Sequence, residues 1–157
     1  MKGVFMAGVL LHHNLATITP AANPKSLWQI RTAANRRTVL HAIELEGLGA
    51  TPAAAAMELA LVLQSADGTY DIDDSASILK QVPAFAGSIS ATVHITCSVE
   101  PGTNTVYYPI SLHQQARLRW TPPTVDGKLI LDSSTRWALR NIGAILQPLK
   151  AKFVFEE

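Results

Sequence analysis

Hydrophobic and polar positions alternate with a period of two wherever the chain can be tested over several residues. In ATVHITCSVE, residues 91–100, the apolar Val93, Ile95, Cys97 and Val99 interleave with His94, Thr96, Ser98 and Glu100. A strand with one face buried has this period, because successive side chains point to opposite sides of a sheet. QARLRW sets Ala116, Leu118 and Trp120 against Gln115, Arg117 and Arg119, and the last segment sets Leu149, Ala151, Phe153 and Phe155 against Lys150, Lys152 and Glu156. TRWALRN places Trp137 and Leu139 opposite Arg136, Ala138 and Arg140. Four half-buried strands are predicted, with arginines and lysines recurring on their outer faces.

Turn chemistry separates such segments at short intervals: Asn23-Pro24, Asp67-Gly68, Pro101-Gly102, Pro122-Pro123 and Asp126-Gly127 are examples. This rhythm predicts an all-β sandwich or barrel, since a helical bundle needs longer uninterrupted runs. TPAAAAMELALVLQ, residues 51–64, reads two ways. Thr51 as N-cap, Pro52 in the first turn and the alanine run favour a helix. Alternation of Met57, Leu59, Leu61 and Leu63 with Glu58, Ala60, Val62 and Gln64 permits a strand.

Length and composition narrow the picture. A chain of 157 residues fits one domain and can hold a core without disulfides or metal. It is 48% hydrophobic and only 16% charged, against about 25% charged for an average soluble domain, which implies surface covered by partner subunits. A net charge of +1 argues against a partner held by phosphate neutralisation, so nucleic acid is not expected. The single cysteine, Cys97, excludes an internal disulfide framework and a multi-thiolate zinc site. The opening MKGVFMAGVLLHHN is a poor signal peptide, broken by Gly3 and Gly8. No segment approaches the roughly 20 apolar residues of a membrane-spanning helix, and no membrane partner is expected.

Charge is segregated along the chain. Residues 1–40 carry five basic and no acidic side chains, 41–110 eight acidic and only Lys80, and 111–157 seven basic against four acidic. Such separation allows acidic and basic surfaces to pair between copies, or neighbouring strands of one subunit to alternate in sign.

Motifs for common chemistries are missing: there is no G-x-S-x-G, no P-loop, no G-x-G-x-x-G and no H-E-x-x-H. His12 and His13 are adjacent, so in a strand they face opposite sides and do not share a metal; a solvent-exposed or interface pair is expected. His94, His113 and Glu100 would have to converge for a cupin-like metal enzyme. DGTYDIDDS gathers Asp67, Asp71, Asp73 and Asp74 but fails the EF-hand spacing, with Ile72 and Ile78 at the positions that need Gly and an acid, and reads as a solvated acidic hairpin loop. Cys97 lies on an apolar face and reads as an inert buried thiol. Trp28, Trp120 and Trp137 read as core or interface aromatics, while Tyr107, Tyr108 and Trp120 are the candidates for a carbohydrate-binding face.

TAANRRTVLHAIELEG and the terminal AKFVFEE carry a resemblance. Over residues 26–157, most specifically 27–46 and 149–157, the chain resembles a family of small phage and prophage proteins and, in architecture, phage capsid decoration (cement) proteins. The resemblance implies an eight-stranded, jelly-roll-like antiparallel β-sandwich that assembles as a homotrimer on the outside of the head. It implies a partner in the major capsid protein, a virion location after synthesis in the host cytoplasm, no catalytic residues and no cofactor. It also favours a strand over 52–64. Residues 1–25, rich in Pro, Asn and Thr, read as an N-terminal arm that orders on a partner, leaving 26–157 as the sandwich domain. Alternatives are a tail, baseplate or head-fibre component and a carbohydrate-binding jelly roll. The expected interface residues are Arg36, Arg37, Arg117, Arg119, Arg136 and Arg140, whose guanidiniums suit bidentate contacts with a neighbour's carboxylates, together with His12 and His13.

Overall fold

A computed structural model describes residues 10–20, 25–50, 56–81, 88–124, 128–132 and 135–157, without the side chains of 15, 16 and 107. Twelve strands are described: β1 (Leu10–Ile18), β2 (Lys25–Arg31), β3 (Thr38–Gly47), β4 (Ala56–Gln64), β5 (Thr69–Asp73), β6 (Ile78–Lys80), β7 (Thr92–Val99), β8 (Asn104–His113), β9 (Arg117–Trp120), β10 (Leu129–Leu131), β11 (Arg136–Asn141) and β12 (Leu149–Glu156). One turn of 3-10 helix, Ser75–Ser77, is the only helix among the described residues. The first sheet runs β10-β3-β12-β1-β6 with β9 also on β3, and the second runs β5-β7-β2-β11-β4-β8.

The winding follows from which strands meet. β4 pairs with β8, β3 with β9, β2 with β11 and β1 with β12, all antiparallel, so the chain runs out and then back along itself as one long hairpin. Rolling that ribbon sets β12 against β3 and β11 against β4. The result is two sheets in jelly-roll order, eight strands in the roll itself. The remaining strands are additions: β5 and β7 extend the second sheet beyond β2, β6 extends the first beyond β1, and β10 adds to β3.

One expectation needs correction, and the open reading of 52–64 is decided. Residues 10–18 belong to the sandwich rather than to an arm that orders on a partner: β1 lies between β12 and β6, and Leu11 and His13 are fully buried. The remainder of the expected arm, residues 1–9 and 21–24, lies outside the described residues. Over 52–64 the strand wins from Ala56 onward, with residues 51–55 outside the description. β4 is gripped by β8 and β11 on its two edges, and Met57, Leu59 and Leu61 fill the core. Helix propensity of a few tenths of a kcal/mol per residue cannot compete with that burial.

The core joins the two sheets. Trp28 of β2 and Phe153 of β12, both fully buried, stack with ring centroids 3.7 Å apart and planes at 1°. Gly47 ends β3 where the β8–β9 turn crosses; a Cβ there would stand 2.5 Å from the Gln114 carbonyl oxygen. Only glycine admits so close a backbone approach.

β7 is bent. Thr96 has φ 59°, a left-handed conformation that β-branched residues rarely adopt. β7 pairs with β2 only over residues 92–95, and beyond the bend it stays with β5. The β5–β7 pair then closes over the outer face of the second sheet. Tyr70 Oη donates to Gln64 Oε1 at 3.4 Å, and Glu100 accepts from the Ser26 amide and, at 2.9 Å, from Ser26 Oγ. Gln29 and Gln64, which face away from the core, are buried as a result, and Ala138 on the same face is buried in a small cluster with Ala60, Val62 and Ile142.

Candidate functional site

The outer face of the first sheet is built by alternation on three adjacent strands. On β12, buried Ala151 and Phe153 alternate with Lys150 and Lys152; on β3, buried Ile43 and Leu45 alternate with Glu44 and Glu46; on β9, Arg117 and Arg119 point outward. Register aligns them into two rows, Arg117–Glu46–Lys150 and Arg119–Glu44–Lys152. Arg117 donates from Nη2 at 2.7 Å and Nε at 3.1 Å to Glu46 Oε1, and Arg119 donates to Glu44 Oε1 at 2.9 Å. Lys152 stands 3.8 Å from the other Glu44 oxygen, and Lys150 has no ion pair among the described residues. Within these two rows four cations face two carboxylates, while Glu156, further along the same face of β12, lies 3.1 Å from His41. A depression of about 510 Å³ lies over these rows, bordered by Asn14 of β1.

The other expected interface residues are placed differently. Arg136 and Arg140 lie on the covered face of the second sheet. Arg136 donates to Asp67, which also accepts from Arg31 at 2.9 Å, and Arg140 Nε is 3.3 Å from Glu100. The two guanidiniums hold the β5–β7 pair down and are spent inside the chain. Arg136 and Arg31 together keep the Asp67 carboxyl below its ordinary range, overcoming the opposing effect of burial. Arg36 and Arg37 are exposed in the β2–β3 loop beside Asn35, whose φ is 63°, and make no ion pair among the described residues.

His12 and His13 do face opposite sides, but His13 is buried and is neither solvent-exposed nor free for an interface. Its Nε2 is 2.9 Å from Asp74 Oδ2, and its Nδ1 finds no partner among the described residues. A carboxylate–imidazole pair is the orienting half of a catalytic triad, yet no hydroxyl or thiol among the described residues hydrogen-bonds to that second nitrogen.

Burial lowers the His13 pKa, outweighing the hydrogen bond and charge of Asp74, which raise it; His12 adds a smaller lowering effect. As pH falls through the ordinary histidine range, the unfolded chain takes up this proton before the folded chain does, so stability falls with pH. His94, also lowered chiefly by burial, adds in the same direction. The urea midpoint is expected to drop between about pH 7.5 and about pH 5.5. His13→Gln, which retains a donor for Asp74 without titrating, is expected to drop less steeply; equal slopes in the two proteins would exclude His13 as a source.

No convergence of metal ligands occurs among the described residues. Asp67 serves Arg31 and Arg136, Asp74 serves His13, and Asp73 accepts from the Ser75 amide at 3.0 Å, so the acidic run is dispersed among separate partners. Glu100 is engaged with Ser26 and Arg140, away from any grouping with His94 and His113, and no cluster of three metal-ligating side chains occurs among the described residues. Cys97 is buried, and loss of solvation pushes its thiol up to about 12, which leaves it protonated and unreactive. Trp28 and Trp137 are core; Trp120 is half-buried against Tyr108, ring centroids 5.4 Å apart, and the Tyr107 side chain lies outside the description.

The glutamates and lysines of the charged rows were missed in the sequence. Alternation about Leu45 and Ala151 already put Glu44 with Glu46 and Lys150 with Lys152 on single faces. That β3 lies between β12 and β9 is set by the winding and has no local signal. No family model matches the chain, and neither does any curated protein or any solved structure.

Proposed function

We propose that this chain is a structural subunit that works by contact: a phage capsid decoration or cement protein that assembles as a homotrimer, binds the major capsid protein on the outside of the head and stabilises the expanded shell. The observation that carries the reading is the exposed, charge-laddered face of the first sheet. A sheet buried on its other side is rigid, so its charges are held in a fixed array at little entropic cost on binding. Arg117 and Arg119 are oriented by Glu46 and Glu44 and present their remaining donors outward. Such an array confers specificity and orientation on a repeated contact. The jelly-roll winding and the resemblance of the sequence to small phage structural proteins support the same reading.

Purified protein mixed with isolated expanded heads is expected to co-sediment to a fixed stoichiometry and to raise the temperature at which the heads rupture. Absence of association at every salt concentration would overturn the proposal. Binding confined to tails or to sparse fibre positions would replace it with a tail or fibre role.

A further inference from the structure

We propose that the charged face docks a second copy of this chain, with Lys150 and Lys152 of one protomer facing Asp71 and Asp73 of its neighbour. This names the partner of the face described above and rests on the reading of the chain as a self-associating structural subunit.

Lys150, Asp71 and Asp73 have no ion pair among the described residues, as Arg36 and Arg37 of the β2–β3 loop have none, and Lys152 has only a long one. Glu44 already accepts from Arg119 at 2.9 Å, so Lys152 at 3.8 Å is loosely held, and Lys150 is exposed with no ion pair among the described residues. On the acidic side, Glu46, Asp67, Asp74 and Glu100 each face a basic side chain of the same chain. Asp71 and Asp73 are exposed on β5, the terminal strand of the second sheet, and neither has an ion pair among the described residues. Asp73 accepts only from Ser75, at 2.5 Å from its hydroxyl and 3.0 Å from its amide.

Spacing matches as well as sign. Lys150 and Lys152 are two apart on one strand, as are Asp71 and Asp73, so both pairs repeat at about 6.6–6.8 Å along their strands. The basic pair lies on the first sheet and the acidic pair at the edge of the second, so the contact is heterologous. It generates a ring where the rotation closes, a trimer being one such closure. Exposed ion pairs contribute about 0–1 kcal/mol each, so the contact is weak alone, is screened by salt and gains from the closure of a ring.

Solution mass by light scattering across a range of concentrations, at low and high salt, tests this on the full chain. The wild type is expected to exceed 16.9 kDa at low salt and to dissociate as salt rises. Lys150→Glu with Lys152→Glu, and separately Asp71→Lys with Asp73→Lys, are each expected to weaken association by about tenfold or more. The four substitutions together are expected to restore it. Asp71→Lys alone accompanies the set, because Asp71 makes no hydrogen bond among the described residues and its replacement leaves the Ser75 turn intact.

An oligomer indifferent to both reversals, or reversals that the combined variant fails to rescue, would overturn this contact while leaving shell binding to be judged by co-sedimentation. A wild type that stays monomeric at low salt would also overturn it, and loss of shell binding by the lysine variant would then assign the face to the capsid protein. Conversely, rescue by the charge swap in a protein that never binds heads would keep the contact and discard the decoration role.

Discussion

Phe153→Ala is expected to lower the unfolding free energy by about 3–5 kcal/mol, the range for removing a large buried aromatic. The ring is fully buried and lies flat on Trp28 at 3.7 Å. Those two residues belong to different sheets, so the void would open between the layers, where neither sheet can close in without shifting its whole strand array. Loss of the stacked partner adds about 0.5–1.5 kcal/mol beyond area. Domains of this kind have only about 5–15 kcal/mol in total, so the variant should sit near the limit of folding at physiological temperature. Urea denaturation followed by tryptophan fluorescence measures the loss, and Phe153→Leu, which refills most of the space, is expected to recover more than half of it. A loss below about 1 kcal/mol, the scale of a surface change, would mean that the sandwich is not held by this stack.

Gln64→Leu is expected to be the second most damaging change, although it conserves size. Gln64 is fully buried on the covered face, where its Nε2 donates to Asn104 Oδ1 at 2.7 Å and Ser26 Oγ at 3.0 Å. Its Oε1 accepts from Gln29 Nε2 at 2.6 Å and Tyr70 Oη at 3.4 Å. Leucine satisfies none of these, and each buried polar group left without a partner costs about 1–3 kcal/mol. Gln29 is the group most exposed to this penalty, because its Oε1 already has no partner among the described residues. The expected loss is therefore about 3–5 kcal/mol.

This loss should be accompanied by loosening of the β5–β7 pair, whose Tyr70 is one of the groups released. Cys97 reports on that directly, being the only cysteine and buried within the pair, on β7 opposite Tyr70. Thiol labelling under native conditions should accelerate by about tenfold or more if local opening becomes easier. Destabilisation with wild-type labelling would confine Gln64 to global stability and remove it as the anchor of the covering strands.

How far the sequence reached depended on whether a residue's role is decided by its neighbours in the chain. β9, β11 and β12 could be read because each has one face toward the core, and a two-residue period records that locally; β7 could be read only as far as its bend at Thr96, beyond which Val99, expected on the buried face, is exposed. β1 could not, since a buried histidine stands where the alternation needs an apolar residue, and its burial depends on Asp74, 61 positions away. Arg117 and Arg119 were correctly placed on an outer face, and the same reasoning for Arg136 and Arg140 also found an outer face. What covers that face, however, are strands reached through the bend at Thr96, with Asp67 lying 69 positions from Arg136.

The apparent segregation of charge resolved in the same way: the acidic middle of the chain folds between its basic ends, so that Glu44 and Glu46 meet Arg119 and Arg117, and Asp67 meets Arg31 and Arg136. The sequence by itself determined the all-β class, the spacing of turns, the inward and outward faces of the regular strands and the burial of Cys97, because steric period and turn chemistry are local. Only the tertiary structure decided which strands are neighbours, that 56–64 is a strand, that one basic face is covered and the other left open, and which charges remain unpaired. Those outcomes turn on contacts between residues tens of positions apart, whose energies arise only once the ribbon has rolled.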